Sequence, residues 1–320
     1  MNKIEPEVSI VVAMMNEEES IQPLLEQVEK SMQGIDYELI LVDDGSSDAT
    51  LERVKEHGNA QVLVVEFMKN YGQSTALQAG IDQAIGKYVV TMDADLQNDP
   101  SDIPMLLQLI KDGNWDLVAG ERVNRKDGMF IRKIPSQIAN RIIRNMTGVR
   151  IKDYGCTLKI FKSSIAKNLN LYGELHRFIP VLAALQGARI HQVPVKHHAR
   201  MFGKSKYNLN RTFKVVSDLM LMAFFRKYLA KPMHLFGTMG FVVFGVGLLI
   251  NAYFLVMKLM GADIWGRPML LLGILMLLGG IQLITTGILL EMQMRTYYES
   301  QNKKTYNIRN LITYDQENER

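Results

Sequence analysis

Short apolar runs alternate with amphipathic stretches through the first third of the chain. Val8 to Ala13 reads as a strand covered on both faces, and Ile21, Leu24, Leu25 and Val28 then recur at helical spacing. The same order repeats. Tyr37 to Val42 predicts a second strand and Ala49 to His57 a helix; Val62 to Val65 predicts a third strand and Gln73 to Ala84 another helix. Tyr88 to Met92 follows as a strand, and a helix begins near Ile103. Further on, Leu117 to Ala119 reads as a strand, His176 to Leu185 opens into a core helix, and Ala188 to Val195 reads as an edge strand. Strand-helix alternation of this kind predicts an α/β fold with a doubly wound, mainly parallel sheet, helices on both faces and a ligand beyond the carboxyl ends of the strands.

The pattern changes after residue 207. From Asn208 to His234, apolar residues are interspersed with Arg211, Lys214, Arg226, Lys227 and Lys231, as in helices lying at a bilayer interface. Leu235 to Leu259 and Pro268 to Leu290 are almost wholly apolar. At 1.5 Å per residue each is long enough to cross a hydrocarbon core of ~30 Å. Asn251 and Gln282 are the polar residues within them and are expected to face another helix. Gly273, Gly280 and Gly287 recur on one helix face, which suits either packing of the two spans or contact between copies in a homo-oligomer. The chain thus divides into a cytosolic domain (1–207), amphipathic juxtamembrane helices (208–234), a two-helix transmembrane hairpin (235–290) and a polar cytosolic tail (291–320). Cations flank the hairpin on its outer sides, and the loop Gly261 to Gly266 carries only Asp263, so the expected topology is multi-pass in the inner (plasma) membrane with both termini cytoplasmic.

The totals add exclusions. Thirty-seven basic and 33 acidic residues leave a net charge of +4, which gives no basis for nucleic-acid binding. The single cysteine, Cys156, rules out an internal disulfide framework and suits a reducing compartment. Acidic residues near the amino terminus give no cleaved signal peptide.

Candidate chemistry gathers at predicted strand ends, where Glu17, Asp43, Asp44, Asp93 and Asp95 all fall. Asp93-Ala94-Asp95 puts two carboxylates close together after a buried strand, and their repulsion is relieved by a hard divalent cation, Mg2+ or Mn2+, with Gln97 completing the shell. An acidic turn capping the next helix is the plainer alternative. At Asp43-Asp44-Gly45-Ser46 a carboxylate can accept from a base N–H or ribose hydroxyls while Gly45 lets a backbone approach; the plainer reading is a strand-to-helix turn capped by Ser47 or Asp48. Asp43 and Asp44 are assigned to the ligand and Asp48 to the cap. No Gly-x-Gly-x-x-Gly and no Gly-Lys-Ser/Thr loop is present, which removes the main support for dinucleotide oxidoreductases and P-loop NTPases. Adjacent His197 and His198 point to opposite faces of a strand and read as structural.

Taken together, Asn16-Glu17-Glu18, Val42-Asp43-Asp44-Gly45-Ser46, Asn70-Tyr71-Gly72-Gln73 and Asp93-Ala94-Asp95-Leu96-Gln97 resemble the family 2 inverting glycosyltransferases of GT-A fold. Within them the chain resembles the polyprenyl-phosphate glycosyltransferases, over nearly its whole length. The resemblance implies transfer of a sugar from a nucleotide diphosphate, UDP foremost, to undecaprenyl phosphate or a similar lipid. It implies metal and diphosphate at Asp93, Asp95 and Gln97, with Asp95 catalytic, and a nucleotide-sugar site including Glu17, Asp43 and Asp44. Arg122 and Arg132 match positions that hold the lipid phosphate, and Arg200, Ser205 and Lys206 lie in a segment that joins them. Asp153, in an Asp-Tyr-Gly-Cys form similar to the aminoarabinose branch, is implied beside the reacting centre as base or positioning group. A phosphate monoester is already largely dianionic at neutral pH and needs little help from a base. Two other readings are a noncatalytic membrane scaffold that binds nucleotide sugars, and a processive polysaccharide synthase; the Gln-x-x-Arg-Trp motif usual in the latter is not found.

Overall fold

A computed structural model of the chain describes residues 5–122, 149, 151–199 and 232–300. It falls into two compact units, 1–220 and 221–320. The strands of the first are β1 (Val8–Met14), β2 (Tyr37–Asp43), β3 (Val62–Glu66), β4 (Tyr88–Asp93), β5 (Leu117–Arg122), β6 (Lys159–Lys162) and β7 (Ile190–Val195). They form one sheet in the order β3-β2-β1-β4-β6-β5-β7. Its helices are α1 (Ile21–Ser31), α2 (Thr50–His57), α3 (Gln73–Gln83), α4 (Ile103–Asp112), the single turn α5 (Ser163–Ala166) and α6 (Ile179–Leu185).

Burial explains the strands. Val8, Ile10, Val11 and Val12 of β1 are all fully buried because both faces of the sheet are covered. On one face Ile10 and Val12 pack with Leu24 and Val28 of α1 and with Leu106 and Ile110 of α4. On the other, α3 approaches so closely that a Cβ at Gly80 would collide with Val11 and Val42. The expected sheet with helices on both faces therefore forms, and β7 lies at its edge as the pattern required.

Two differences matter for the site. The short β6 was not anticipated; it pairs antiparallel with both β4 and β5. Four residues with a lysine at each end carry neither a clear period nor an apolar run. β5 also runs three residues beyond the strand expected at Leu117 to Ala119, which puts Arg122 at a strand end.

Gly45 shows where local geometry is tightest. Its φ is +73°, and a Cβ there would sit 2.7 Å from the carbonyl carbon of Lys69. The close approach foreseen for Gly45 is made by the chain's own backbone.

In the second unit α7 (Met233–Leu259) and α8 (Pro268–Ser300) are each long and apolar enough to cross a membrane. Glycines set their contact. A Cβ on Gly240 would meet Ile284 and Gly280, one on Gly273 would meet Asn251 and Ile250, and one on Gly287 would meet Met233 and Phe236. The seven-residue glycine repeat is thus used to join the two spans. Asn251 faces α8 and donates to Gly247 O at 2.7 Å. Gln282 departs from expectation, because its side chain is exposed and does not face α7.

Gly45→Ala should lower the thermal midpoint of the detergent-solubilised protein sharply, since it combines left-handed strain with a backbone clash. Gly34→Ala, at φ +79° with open space around it, should cost only about 1 kcal/mol; equal losses at both sites would refute the packing account.

Candidate active site

The chain leaves β1 toward β2 and β3 on one side and returns to β4 on the other, so the carboxyl ends of these strands border a crevice. Asp43 ends β2 beside Met14, and Asp93 ends β4 beside Ala13. Since β6 runs antiparallel, its first residue, Lys159, lies at the same edge, opposite Thr91 and Ala119. That brings Asp153 to Thr157 up against the ends of β4 and β5.

Asp93 is the meeting point. One carboxylate oxygen accepts from Gln73 Nε2 at 2.7 Å and the other from Thr157 Oγ1 at 2.8 Å. Thr157 is fixed in turn, its hydroxyl accepting from Asn98 Nδ2 at 2.8 Å and its carbonyl accepting from Thr91 Oγ1 at 2.8 Å. After Asp93 the chain turns through Leu96, whose φ of +58° is left-handed. That conformation costs about 1–2 kcal/mol for a residue with a Cβ, and burial of the Leu96 side chain holds it in place. Asp95 is buried in the same turn and accepts from Gln97 N at 3.2 Å. The Gln97 carbonyl accepts from His198 N, and His198 Nε2 lies 3.0 Å from Asp99 Oδ2, so His198 has the structural role expected of it.

Arg122 and Asp153 form a forked pair. Arg122 Nε donates to Asp153 Oδ2 at 2.7 Å and Nη2 to Oδ1 at 2.8 Å, and the same carboxylate accepts from the N–H groups of Arg122 and Gly155. With four donors on it, Asp153 is suited to positioning Arg122 rather than to taking a proton. Lys159 is fully buried, its charge interacts with Asp93, Arg122 and Asp153, and its Nζ donates to the Cys156 carbonyl. The sequence reading missed Lys159 and Thr157 altogether. A lysine beside a short apolar run reads as surface, and only the β6 pairing shows otherwise.

The charges are coupled. Burial first, and then the neighbouring Asp95, raise the Asp93 pKa to about 6. Burial lowers that of Lys159. It also works against Arg122, but Asp153 and the other nearby groups more than offset it, so the guanidinium is held above its ordinary value. Asp93, Asp95 and Asp153 face Arg122 and Lys159, one negative charge in excess when all are ionised. Two close carboxylates with surplus negative charge fit a hard divalent cation whose remaining ligands come from a diphosphate and water. Among the described residues no cluster of three or more His, Cys, Asp or Glu side chains could close such a site from the protein alone.

The other acidic residues are engaged in turns. Asp43 accepts from the Ser46 N–H at 3.1 Å and from the Ser46 hydroxyl. Asp44 accepts from Asn70 Nδ2 and from the N–H groups of Tyr71 and Gly72. Glu17 accepts from Ser20 Oγ at 3.0 Å, while its own N–H donates to Thr50 Oγ1. Asp48 accepts from Thr50 N at the start of α2. The Asp44 turn leads directly into Gln73, so the β2 end is tied to Asp93 through one short segment. Arg132, Arg200, Ser205 and Lys206 lie outside the described residues.

A mixed sheet with acidic residues at its switch point has the GT-A architecture. The model described as Glycosyl transferase family 2 matches residues 9–169, and the chain belongs to that family. It is 47% identical over 314 residues to the dodecaprenyl-phosphate galacturonate synthase of Rhizobium johnstonii, covering 96% of this chain and 93% of that one. It is 35% identical over 312 residues to the undecaprenyl-phosphate 4-deoxy-4-formamido-L-arabinose transferase of Proteus mirabilis, covering 95% and 94%. Among solved structures, the glucosyl-3-phosphoglycerate synthase of Mycobacterium tuberculosis with Mn2+, UDP and glucosyl-3-phosphoglycerate aligns with a TM-score of 0.53 and 18% identity, over 69% of this chain and 80% of that one. The same enzyme with Mg2+ and UDP aligns with a TM-score of 0.53. At this identity the structural likeness concerns the fold alone.

Two predictions follow from the buried groups. With side chains only 14% and 11% exposed, the Arg122–Asp153 pair leaves a stranded charge when one member is lost. Asp153→Ala should therefore destabilise by about 3–5 kcal/mol, and Arg122→Met added to it should recover part of that loss in a double-mutant cycle by denaturant melts. His176 is buried with its ring Nδ1 2.8 Å from Ser74 Oγ, and burial, then Arg177, lower its pKa from 6.5 to about 3. Between those values the unfolded chain binds the proton and the native state does not. Stability from this group is intact above pH 6.5 and falls by about 1.4 kcal/mol per pH unit below it. The melting midpoint should drop more steeply on acidification in the wild type than in His176→Gln, and parallel slopes would contradict the buried neutral histidine.

Proposed function

We propose that this protein is an inverting glycosyltransferase that moves a sugar from a UDP-sugar to a polyprenyl phosphate of the undecaprenyl type at the cytoplasmic face of the inner membrane. The observation that carries the reading is the joining, in one buried cluster, of an acidic pair at the β4 end with the Arg122–Asp153 fork, on a chain with two helices able to cross a membrane. The names of the relatives, a galacturonate synthase and formamidoarabinose transferases acting with polyprenyl phosphates, support the acceptor class. Cations are more numerous outside both ends of the hairpin, at Arg226, Lys227, Lys231, Arg295, Lys303, Lys304 and Arg309, than around the connection between the spans, at Lys258 and Arg267, which supports a cytoplasmic catalytic domain.

Asp93 and Asp95, with Gln97 beside them, hold Mg2+ or Mn2+. When bound, such an ion offsets the charge building on the departing diphosphate. Gln73 and Thr157 keep Asp93 in one orientation, so the acidic pair is in place before the donor arrives. Glu17, Asp43 and Asp44 line the nucleotide end, where Asp44 shapes the Asn70 to Gly72 turn. Asp153 presents Arg122 to the lipid phosphate, together with Arg132, Arg200, Ser205 and Lys206. The phosphate then attacks the anomeric carbon in line, from the side opposite the diphosphate, and inverts it. As a dianion it needs no base, and holding donor and acceptor together supplies several kcal/mol toward the barrier.

Purified protein should transfer label from a UDP-sugar, with UDP-galacturonic acid first in the panel, to undecaprenyl phosphate in the lipid phase. Asp95→Asn should lose that transfer and its calorimetric Mn2+ binding while keeping its melting midpoint. Full activity in the variant would sink the metal assignment; no turnover by the wild type with any sugar nucleotide would favour a noncatalytic scaffold.

A further inference from the structure

Gln282 lies one residue past the midpoint of the apolar stretch Pro268–Met294. Its side chain is exposed and makes no hydrogen bond to a described residue. At 3.6 residues per turn it sits roughly 200° around α8 from Gly280, hence nearly opposite the glycine face that packs on α7. Around it are Leu275, Leu278 and Leu289, all exposed, and Thr286, whose hydroxyl is already used on the Gln282 carbonyl. One turn earlier, Gly279 has no atom within 4 Å of where a Cβ would stand, leaving a notch on the same side.

In a bilayer this amide stands about 1.5 Å from the centre of the span. Its two methylenes are too short to carry it to the interface, roughly 15 Å away. Acyl chains and a polyprenyl tail offer no hydrogen-bonding group at that depth, and α7 is on the far side of the helix. What satisfies the amide must be another membrane helix with a donor and an acceptor at the same level. A carboxamide carries both, so it is its own complement. Around an axis normal to the membrane, a second copy brings the same group to the same depth without further adjustment. We propose that the outer face of α8, centred on Gln282 with the Gly279 notch beside it, is a self-association surface on which α8 of a second copy packs.

Cysteine cross-linking of the full-length protein in native membranes tests this, with the buried Cys156 replaced by serine. Leu275 lies roughly 20° from Gln282 around the helix and Ile281 roughly 100° away. Under mild oxidation Leu275→Cys should give disulfide-linked dimers and Ile281→Cys should not. Adding Gln282→Leu, which makes the span more apolar and keeps it inserted, should cut the Leu275→Cys dimer about threefold or more. Cross-linking that is absent at Leu275→Cys, equal at both positions, or unchanged by Gln282→Leu overturns the proposal.

Discussion

A buried carboxylate at the end of a central strand is the constraint around which the first unit is arranged. Asp93 sits where hydrocarbon-like packing ends and the crevice begins, and burial there disfavours its charge. Two donors, Gln73 and Thr157, offset part of that cost, and each belongs to a different part of the chain. Gln73 heads α3, while Thr157 precedes β6. The carboxylate thus links two segments that come from distant parts of the chain, and they in turn hold its orientation.

The same economy recurs around it. The Asn16 side-chain oxygen accepts from Ser47 N, and Ser46 Oγ accepts from Asn16 N, locking the loop after β1 to the loop after β2. Asp44 fixes the Asn70 to Gly72 turn, and that turn delivers Gln73 to Asp93. Loops at the carboxyl ends of strands are usually the mobile part of such a fold. Here three of them are cross-braced, and the bonds to Asp44 and Asp93 are charge-assisted, a kind about twice as strong as neutral ones. A crevice built in this way is shaped before a ligand enters, and binding need not supply the ordering free energy.

Much of this was legible in the order of residues, and the reasons are physical. The parallel strands announce themselves because both faces are covered, so Val8 to Ala13 and Tyr88 to Met92 have to be apolar throughout. Acidic residues just past such runs stand out against that background, which is how Asp43, Asp44, Asp93 and Asp95 were found. The antiparallel β6 was hidden because its two lysines read as surface residues, whereas Lys162 pairs with Asp116, 46 residues away, and Lys159 donates inside the site to the Cys156 carbonyl. Arg122 was visible as a cation but not as half of a fork, since its partner lies 31 residues away. In the second unit the glycine spacing predicted a contact face without saying what would fill it, and Phe244 at Gly280 and Asn251 at Gly273 answer that.

Charge balance at the crevice bears on how an anionic acceptor would be met. Three carboxylates face Arg122 and Lys159, and Lys159 is committed to the Cys156 carbonyl while Arg122 is committed to Asp153. A dianionic phosphate brought to that cluster alone would meet net repulsion in a medium where charges act strongly. Two additions change the sign. A divalent cation on Asp93 and Asp95 turns the excess of one negative charge into an excess of one positive charge. The segments 123–133 and 200–206, outside the described residues, carry Arg125, Lys126, Arg132, Lys133, Arg200, Lys204 and Lys206 against the single acid Asp127. On the proposed reading, an acceptor phosphate would be favoured at this cluster only once the divalent cation offsets its surplus negative charge.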